Sequence, residues 1–192
     1  MSLIEPGGNG ILNSERVLYT PADGGVVTWV SGDVYRVLAS AEDGMGSIGF
    51  IEGQVPVGAG PLPHVHERTD ESFFLLSGTI AFLGGEKTIT AEAGSFVHVP
   101  RGTLHRFMNV GDAEARMIFF FTPGGPELMF LHGGDKPEPG SAPVIWGADR
   151  TAEAMASVAH LNPDLVYRTE LDYLFRPEGG RPSATVTGRR EA

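Results

Sequence analysis

Short apolar or alternating segments recur between turn signals along most of the chain. They are VVTWV from Val26, VYRVLAS from Val34, GSIGFIEGQV from Gly46, SFFLLS from Ser72, TIAFLG from Thr79, KTITA from Lys87, SFVHVP from Ser95, LHRFMNV from Leu104, RMIFFFT from Arg116 and ELMFLH from Glu127. A period of two is the mark of a strand that turns one face to a core. The junctions carry Gly-Gly, Asp-Gly and Gly-Asp, residues suited to tight turns. About ten strands at this spacing predict an all-β sandwich or barrel of antiparallel hairpins, with the jelly roll the commonest solution at this length. Nothing alternates with helices as a parallel sheet requires.

The pattern changes at Asp149. The stretch DRTAEAMASVAHL is rich in alanine, places Met155 and Val158 or Ala159 at helical spacing, and stops at Asn162-Pro163, which predicts one short C-terminal helix. NPDLVYRTELDYLFRPEGG is then expected to pack on the strands, whereas the polar RPSATVTGRREA reads as disordered and the residues up to Leu12 as a loose arm. With 192 residues there is room for one ordinary domain. The expected division is an N-terminal arm with leading strands over 1–33, a β-barrel over 34–133 and a C-terminal extension over 134–192.

Composition narrows the chemistry. Net charge is −10 and no stretch gathers Lys and Arg, so phosphate neutralisation has no footing and nucleic acid is excluded as a partner. Cysteine is absent, which removes disulfides and thiolates and leaves imidazole and carboxylate as the strong metal ligands. MSLIEPGGNGILNSER does not have the layout of an export signal, and the apolar runs fall short of the roughly 20 residues of a membrane span. The expectation is a soluble, cytoplasmic protein without a membrane partner.

Two segments carry candidate chemistry. In GAGPLPHVHERTDESFFLLSG, starting at Gly58, His64 and His66 are two apart on a strand and present both imidazoles to one face. Glu71 opens the next strand, with Phe73 and Leu75 on its side; a carboxylate there needs a partner, because burying it alone is costly. In GSFVHVPRGTLHRFMN, starting at Gly94, Pro100 and Gly102 shape a tight turn, after which His105, Phe107 and Asn109 face one way and Arg106 and Met108 the other, outward. A shared inward side brings together His64, His66, Glu71 and His105. Three neutral imidazoles and one carboxylate suit a single divalent first-row metal ion (Fe, Ni, Mn, Cu or Zn) and leave two octahedral positions open.

Other residues read more plainly. His98 alternates with valines and either lines the cavity or lies on the outer face, with a structural role preferred; His132 and His160 are surface residues, Asn109 fixes a turn, and Phe119, Phe120 and Phe121 belong to core and interface. Gly58, Gly78, Gly94 and Gly102 are backbone choices. Phe74 and Leu76 face away from the side of Glu71 yet are apolar, which fits a second sheet layer or a subunit contact, and the contact, hence a homodimer, is the preferred reading.

The spacing from Gly58 through His64, His66 and Glu71 to Gly78 resembles the first motif of the cupin superfamily at every defined position. That from Gly94 through Pro100, Gly102 and His105 to Asn109 resembles its second motif, with 15 residues between the two. The resemblance covers Gly58 to Asn109 and implies a single cupin jelly-roll barrel with His64, His66, Glu71 and His105 as metal ligands. The HERTDESFFLLSG segment, the single-domain length and the aromatic interior are similar to quercetin dioxygenase-like cupins. That narrower likeness implies a dioxygenase acting with dioxygen on a small enol- or phenol-containing, flavonol-like substrate. Glu71 would then be both ligand and base, and Phe73 and Phe107 would wall the substrate. The ligand set is equally compatible with a non-oxidative isomerase, cyclase or lyase, and the fold with a small-ligand-binding module that turns nothing over.

Overall fold

The computed structural model describes residues 17–43, 46–85 and 87–174. The expected loose arm up to Leu12 and the polar segment from Arg181 lie outside these residues. In chain order the strands are β1 (Val26–Val30), β2 (Asp33–Ala39), β3 (Gly49–Val55), β4 (His64–His66), β5 (Asp70–Ser77), β6 (Thr79–Gly84), β7 (Lys87–Glu92), β8 (Phe96–Val99), β9 (His105–Asn109), β10 (Ala115–Thr122) and β11 (Leu165–Tyr167). All pairings are antiparallel and form two sheets, of order β1-β2-β3-β10-β5-β8 and β11-β4-β9-β6-β7. The fold is the expected all-β jelly roll. Its two ladders stay separate and face one another as a sandwich instead of closing into one continuous barrel.

Alternation decides which side chains meet between the sheets. On β10, Ala115, Met117, Phe119 and Phe121 are buried and their neighbours are more open; on β2 the same alternation buries Tyr35 and Val37. Phe73 and Phe119 from one sheet meet Phe82 and Phe107 from the other, with ring centroids 4.9 to 5.8 Å apart in tilted and edge-on arrangements. Aromatic pairs of this geometry add about 0.5–1.5 kcal/mol each beyond the area they bury. This cluster fills the middle of the sandwich and leaves the end bearing the histidines free for other work.

Two glycines show how closely the loops approach. A Cβ on Gly60 would lie 2.0 Å from the carbonyl oxygen of Phe107, so only glycine lets the loop before β4 lie on β9. Gly78 has φ +91 and would place a Cβ 2.7 Å from that of Ala115. The other motif glycines, 58, 94 and 102, also have positive φ, in keeping with backbone roles.

ELMFLH departs from expectation, forming a helix, α1 (Glu127–Gly133), and not a strand. Its short apolar run has no decisive period, and Pro126 with φ −58 and ψ −30 starts the chain in helical geometry. Glu127 is fully buried there, accepting hydrogen bonds from the backbone N–H groups of Ala41 (2.6 Å) and Gly125 (2.8 Å). The helix expected near Asp149 is present as α2 (Ala148–Val158), with Ala154 and Val158 buried. The described part of the segment after it packs on the strands: β11 adds to the free edge of β4, and a 3₁₀ turn over Thr169–Leu174 follows, while residues 175–180 of that expectation lie outside the described residues. That turn corrects the reading of Arg106. By parity the side chain leaves the inner face, yet it is 2% exposed because Asp172 covers it with an ion pair of 2.6 Å. Among the described residues no helix is long and apolar enough to cross a membrane.

Candidate metal centre

Each candidate ligand is placed by a different piece of local structure. β4 is only three residues long and presents His64 and His66 inward with Val65 between them. β5 brings in Glu71, and β9 begins at His105, directly opposite His64 in the ladder. The Pro100–Gly102 turn links the two motifs: Gly102 donates its N–H to the carbonyl of His66 (2.8 Å), and Arg101 grips Asp70, next to Glu71, through both its backbone N–H and its guanidinium at 2.8–2.9 Å. Asn109 ties the far end of β9, donating to the carbonyls of Val55 and Ala113 and accepting from Gly111, which is the turn-fixing role its position suggests.

The four side chains are 2 to 7% exposed, and one ligand atom from each lies within 4.8 Å of the others. Glu71 Oε2 is 2.8 Å from His105 Nε2, 3.1 Å from His66 Nε2 and 3.8 Å from His64 Nε2. Behind the rings, His64 Nδ1 stands 2.8 Å from the Leu62 carbonyl and His105 Nδ1 3.0 Å from that of Thr103. A carbonyl only accepts, so each Nδ1 carries a proton, and a ring that is neutral then turns its Nε2 lone pair toward Glu71. Lone pairs aimed at a carboxylate oxygen repel unless a cation lies among them. The donor set therefore fits a divalent ion, and the two carbonyls hold the rings in the ligating tautomer.

Electrostatics divide the two rings, keeping His64 neutral and drawing a proton to His105 while no cation offsets Glu71. Burial lowers His64 to about 4, helped by the neighbouring His105 and opposed by Glu71. His105 moves up: burial pulls it down, but the hydrogen bond and charge of Glu71 outweigh that. Burial would raise Glu71, yet its imidazole neighbours, His105 first, hold it well below the usual carboxylate range.

The centre opens into a cavity of about 210 Å³. Phe107 lines it, and so do Phe119 and Phe121, which the sequence pattern assigns to core and interface; Phe73 is instead enclosed in the aromatic cluster behind Phe107 and Phe119. Several walls come from residues outside both motifs: Tyr35 on β2, Met129 and Phe130 on α1, Trp146, and Leu165 and Tyr167 on β11. Tyr167 stands opposite His64 in the β4–β11 ladder with its ring centroid 5.9 Å away, and burial together with the charge of Glu71 pushes its phenol up to about 12. Tyr35 donates to Asp33 Oδ2 at 3.0 Å, and burial followed by the charge of Asp33 raises it well above the ordinary phenol. Only a short apolar patch, LVY, marks Tyr167 in the sequence. His98 lies exposed outside the centre with Nδ1 2.9 Å from Ser72 Oγ, and His132 and His160 are exposed.

The family model of the cupin domain matches residues 52–121, the stretch that carries all four candidate ligands. The chain carries a cupin domain. Among curated proteins, the cupin region is 35% identical over 107 residues to an oxalate oxidase of Triticum aestivum, covering 50% of this chain and 46% of that one. It is 27% identical to quercetin 2,3-dioxygenase of Bacillus subtilis, covering 55% and 32%. It is 29% identical to the tetracenomycin polyketide synthase protein TcmJ of Streptomyces glaucescens, covering 53% and 68%. The chain spans about half or less of the length of the first curated relatives it matches. Among solved structures, a predicted oxalate decarboxylase of Thermotoga maritima superposes with a TM-score of 0.51 at 18% identity, over 55% of this chain and 98% of that one, and shows the same cupin fold.

Proposed function

We propose that the protein is a metal-dependent cupin enzyme, a dioxygenase acting on a small enol- or phenol-containing, flavonol-like substrate. The observation that carries the reading is the convergence of three imidazole Nε2 atoms on Glu71 Oε2 at the end of an aromatic-walled cavity. His64, His66 and His105 would hold the ion through Nε2 and Glu71 through its carboxylate. Bound there, an Fe, Ni, Mn, Cu or Zn ion supplies Lewis acidity toward an enol oxygen and open positions for substrate and dioxygen.

The chain's own residues supply the rest. Glu71 is an ionised carboxylate beside the open positions and accepts the enol proton. Phe107 and Phe121 flank a planar ring, and the aromatic and methionine side chains of the C-terminal extension keep water out. Phe73 backs Phe107 and sets its position, with ring centroids 5.8 Å apart. The names oxidase and dioxygenase borne by two of the relatives favour oxygen chemistry. The working unit on this reading is the cupin domain of residues 34–133 with the described part of the extension, residues 134–174, covering its cavity, in a homodimer formed through the outer face around Phe74.

A second reading is a non-oxidative isomerase, cyclase or lyase, because the same donor set serves Lewis-acid chemistry without dioxygen. Oxygen uptake separates the two. The protein reconstituted with each metal in turn is presented with flavonols, catechols and 1,3-diketones in an oxygen electrode. Consumption coupled to substrate loss is expected; substrate loss without oxygen consumption overturns the dioxygenase in favour of the second reading.

A further inference from the structure

Tyr167 is half-buried, and phenols inside a protein ordinarily give their O–H to an oxygen acceptor. Tyr167 lines the cavity, and its hydroxyl instead meets the thioether of Met129, with O···Sδ 3.3 Å, a weak acceptor for a strong donor. The residue is held firmly. It pairs with His64 across the β4–β11 ladder, and the next backbone N–H, of Arg168, donates to the carbonyl of Pro63 at 2.8 Å. A phenol fixed beside a candidate ligand, lining a largely apolar cavity and underused as a donor, is placed to serve something that enters. Tyr35, the other phenol of the cavity, is already committed to Asp33.

We infer that Tyr167 is a specificity-determining residue that donates a hydrogen bond to a second oxygen of the substrate, next to the enol oxygen at the metal, and so selects enolised compounds with vicinal oxygens, such as α-hydroxyketones. This rests on the enol reading above. Tyr167 lies outside the matched span of residues 52–121 and belongs to the C-terminal extension. The extension thereby does more than close the site: it contributes the group that reads the substrate's second oxygen. A site built to hydrogen-bond a substrate oxygen discriminates strongly against analogues lacking it, because the site's own polar group is then left with a poor partner.

The test uses the nickel-loaded full chain and maltol, a small α-hydroxyketone enol, with Tyr167→Phe as the variant; the retained ring keeps the β11 contacts. Calorimetry at matched nickel content is expected to show about tenfold weaker maltol binding in the variant, the scale of one hydrogen bond. Isotope-edited infrared spectra of bound maltol are expected to show the carbonyl band at higher frequency in the variant than in wild type. That band decides. If it is unchanged, the inference falls whatever the affinity does, since a structural role alters affinity without touching the carbonyl. Should the phenylalanine variant fail to load nickel, Tyr167→Met, which fills the space without a donor, must give the same displacement. Failure of nickel-loaded wild type to bind maltol at all overturns the enol reading and this inference together; binding with an unchanged band overturns this inference alone.

Discussion

His105 Nε2 lies 2.8 Å from Glu71 Oε2 while the Nδ1 of the same ring lies 3.0 Å from the Thr103 carbonyl. One neutral imidazole has a single N–H, so it cannot satisfy both acceptors. The ring is either protonated or faces a cation, and His64, with Leu62 behind it and Glu71 before it, repeats the arrangement. Two rings locked this way by backbone carbonyls make the centre a property of the fold rather than of the ion.

Substituting one of the histidines should accordingly empty the site without unfolding the chain. His64→Ala, His66→Ala and His105→Ala are each expected to lower metal content by at least about tenfold, the scale on which even a supporting group affects metal affinity. The sandwich core should persist, because it rests on Phe73, Phe82, Phe107 and Phe119. Elemental analysis alongside circular dichroism checks this; full stoichiometric metal in all three variants would remove the assignment.

Glu71 is expected to have two roles, which Glu71→Gln separates. The amide keeps the shape and an oxygen donor but accepts no proton. Activity per bound metal ion should then fall by roughly two to four orders of magnitude, the usual scale for losing a general base. The histidine variants should instead lose activity in proportion to metal. Wild-type turnover per ion in Glu71→Gln would reduce Glu71 to a ligand.

Acid should weaken the metal-free protein through His64. Its folded pKa, lowered to about 4, lies below the ordinary 6.5, so the folded state resists a proton that the unfolded chain takes up. Stability from this group is full above pH 6.5 and declines as pH falls toward 4, by about 3 kcal/mol in total. His105, raised by Glu71, works in the opposite sense: its contribution is full below the unfolded pKa and is lost as pH rises through the folded one. Urea denaturation of the apoprotein across this window should show a shallower acid loss in His64→Asn than in wild type.

The two motifs were legible because their chemistry is local. A period of two places His64 and His66 together, and the turn at Pro100–Gly102 sets the parity of β9, so inward and outward sides followed from counting. ELMFLH was not legible, since six apolar-rich residues fit a strand or a helix and the geometry of Pro126 decided. Nor were Tyr167 and the covering of Arg106 by Asp172, for both depend on the extension folding back some 60 to 100 residues along the chain onto β4 and β9, a long-range relation that no local pattern encodes.

The outer face of the six-stranded sheet carries the last expectation. Phe74 on β5 is 43% exposed and stands opposite Phe96 on β8, 65% exposed, and Ile118 on β10; Leu76 follows on the same face at 40%. β8 is the last strand of its sheet, so this apolar row runs out to an open edge. Large side chains left contiguous on a sheet face gain about 1.5–3 kcal/mol each when covered, and in a two-fold dimer every contact occurs twice. Phe74→Lys places two charges in such an interface and should move the chain from dimer to monomer at micromolar concentration, while metal content stays at the wild-type level because the substituted side chain points away from Glu71. Light scattering of both proteins across concentration is the check, and a wild-type chain that remains monomeric at high micromolar concentration would leave this face without the assigned role.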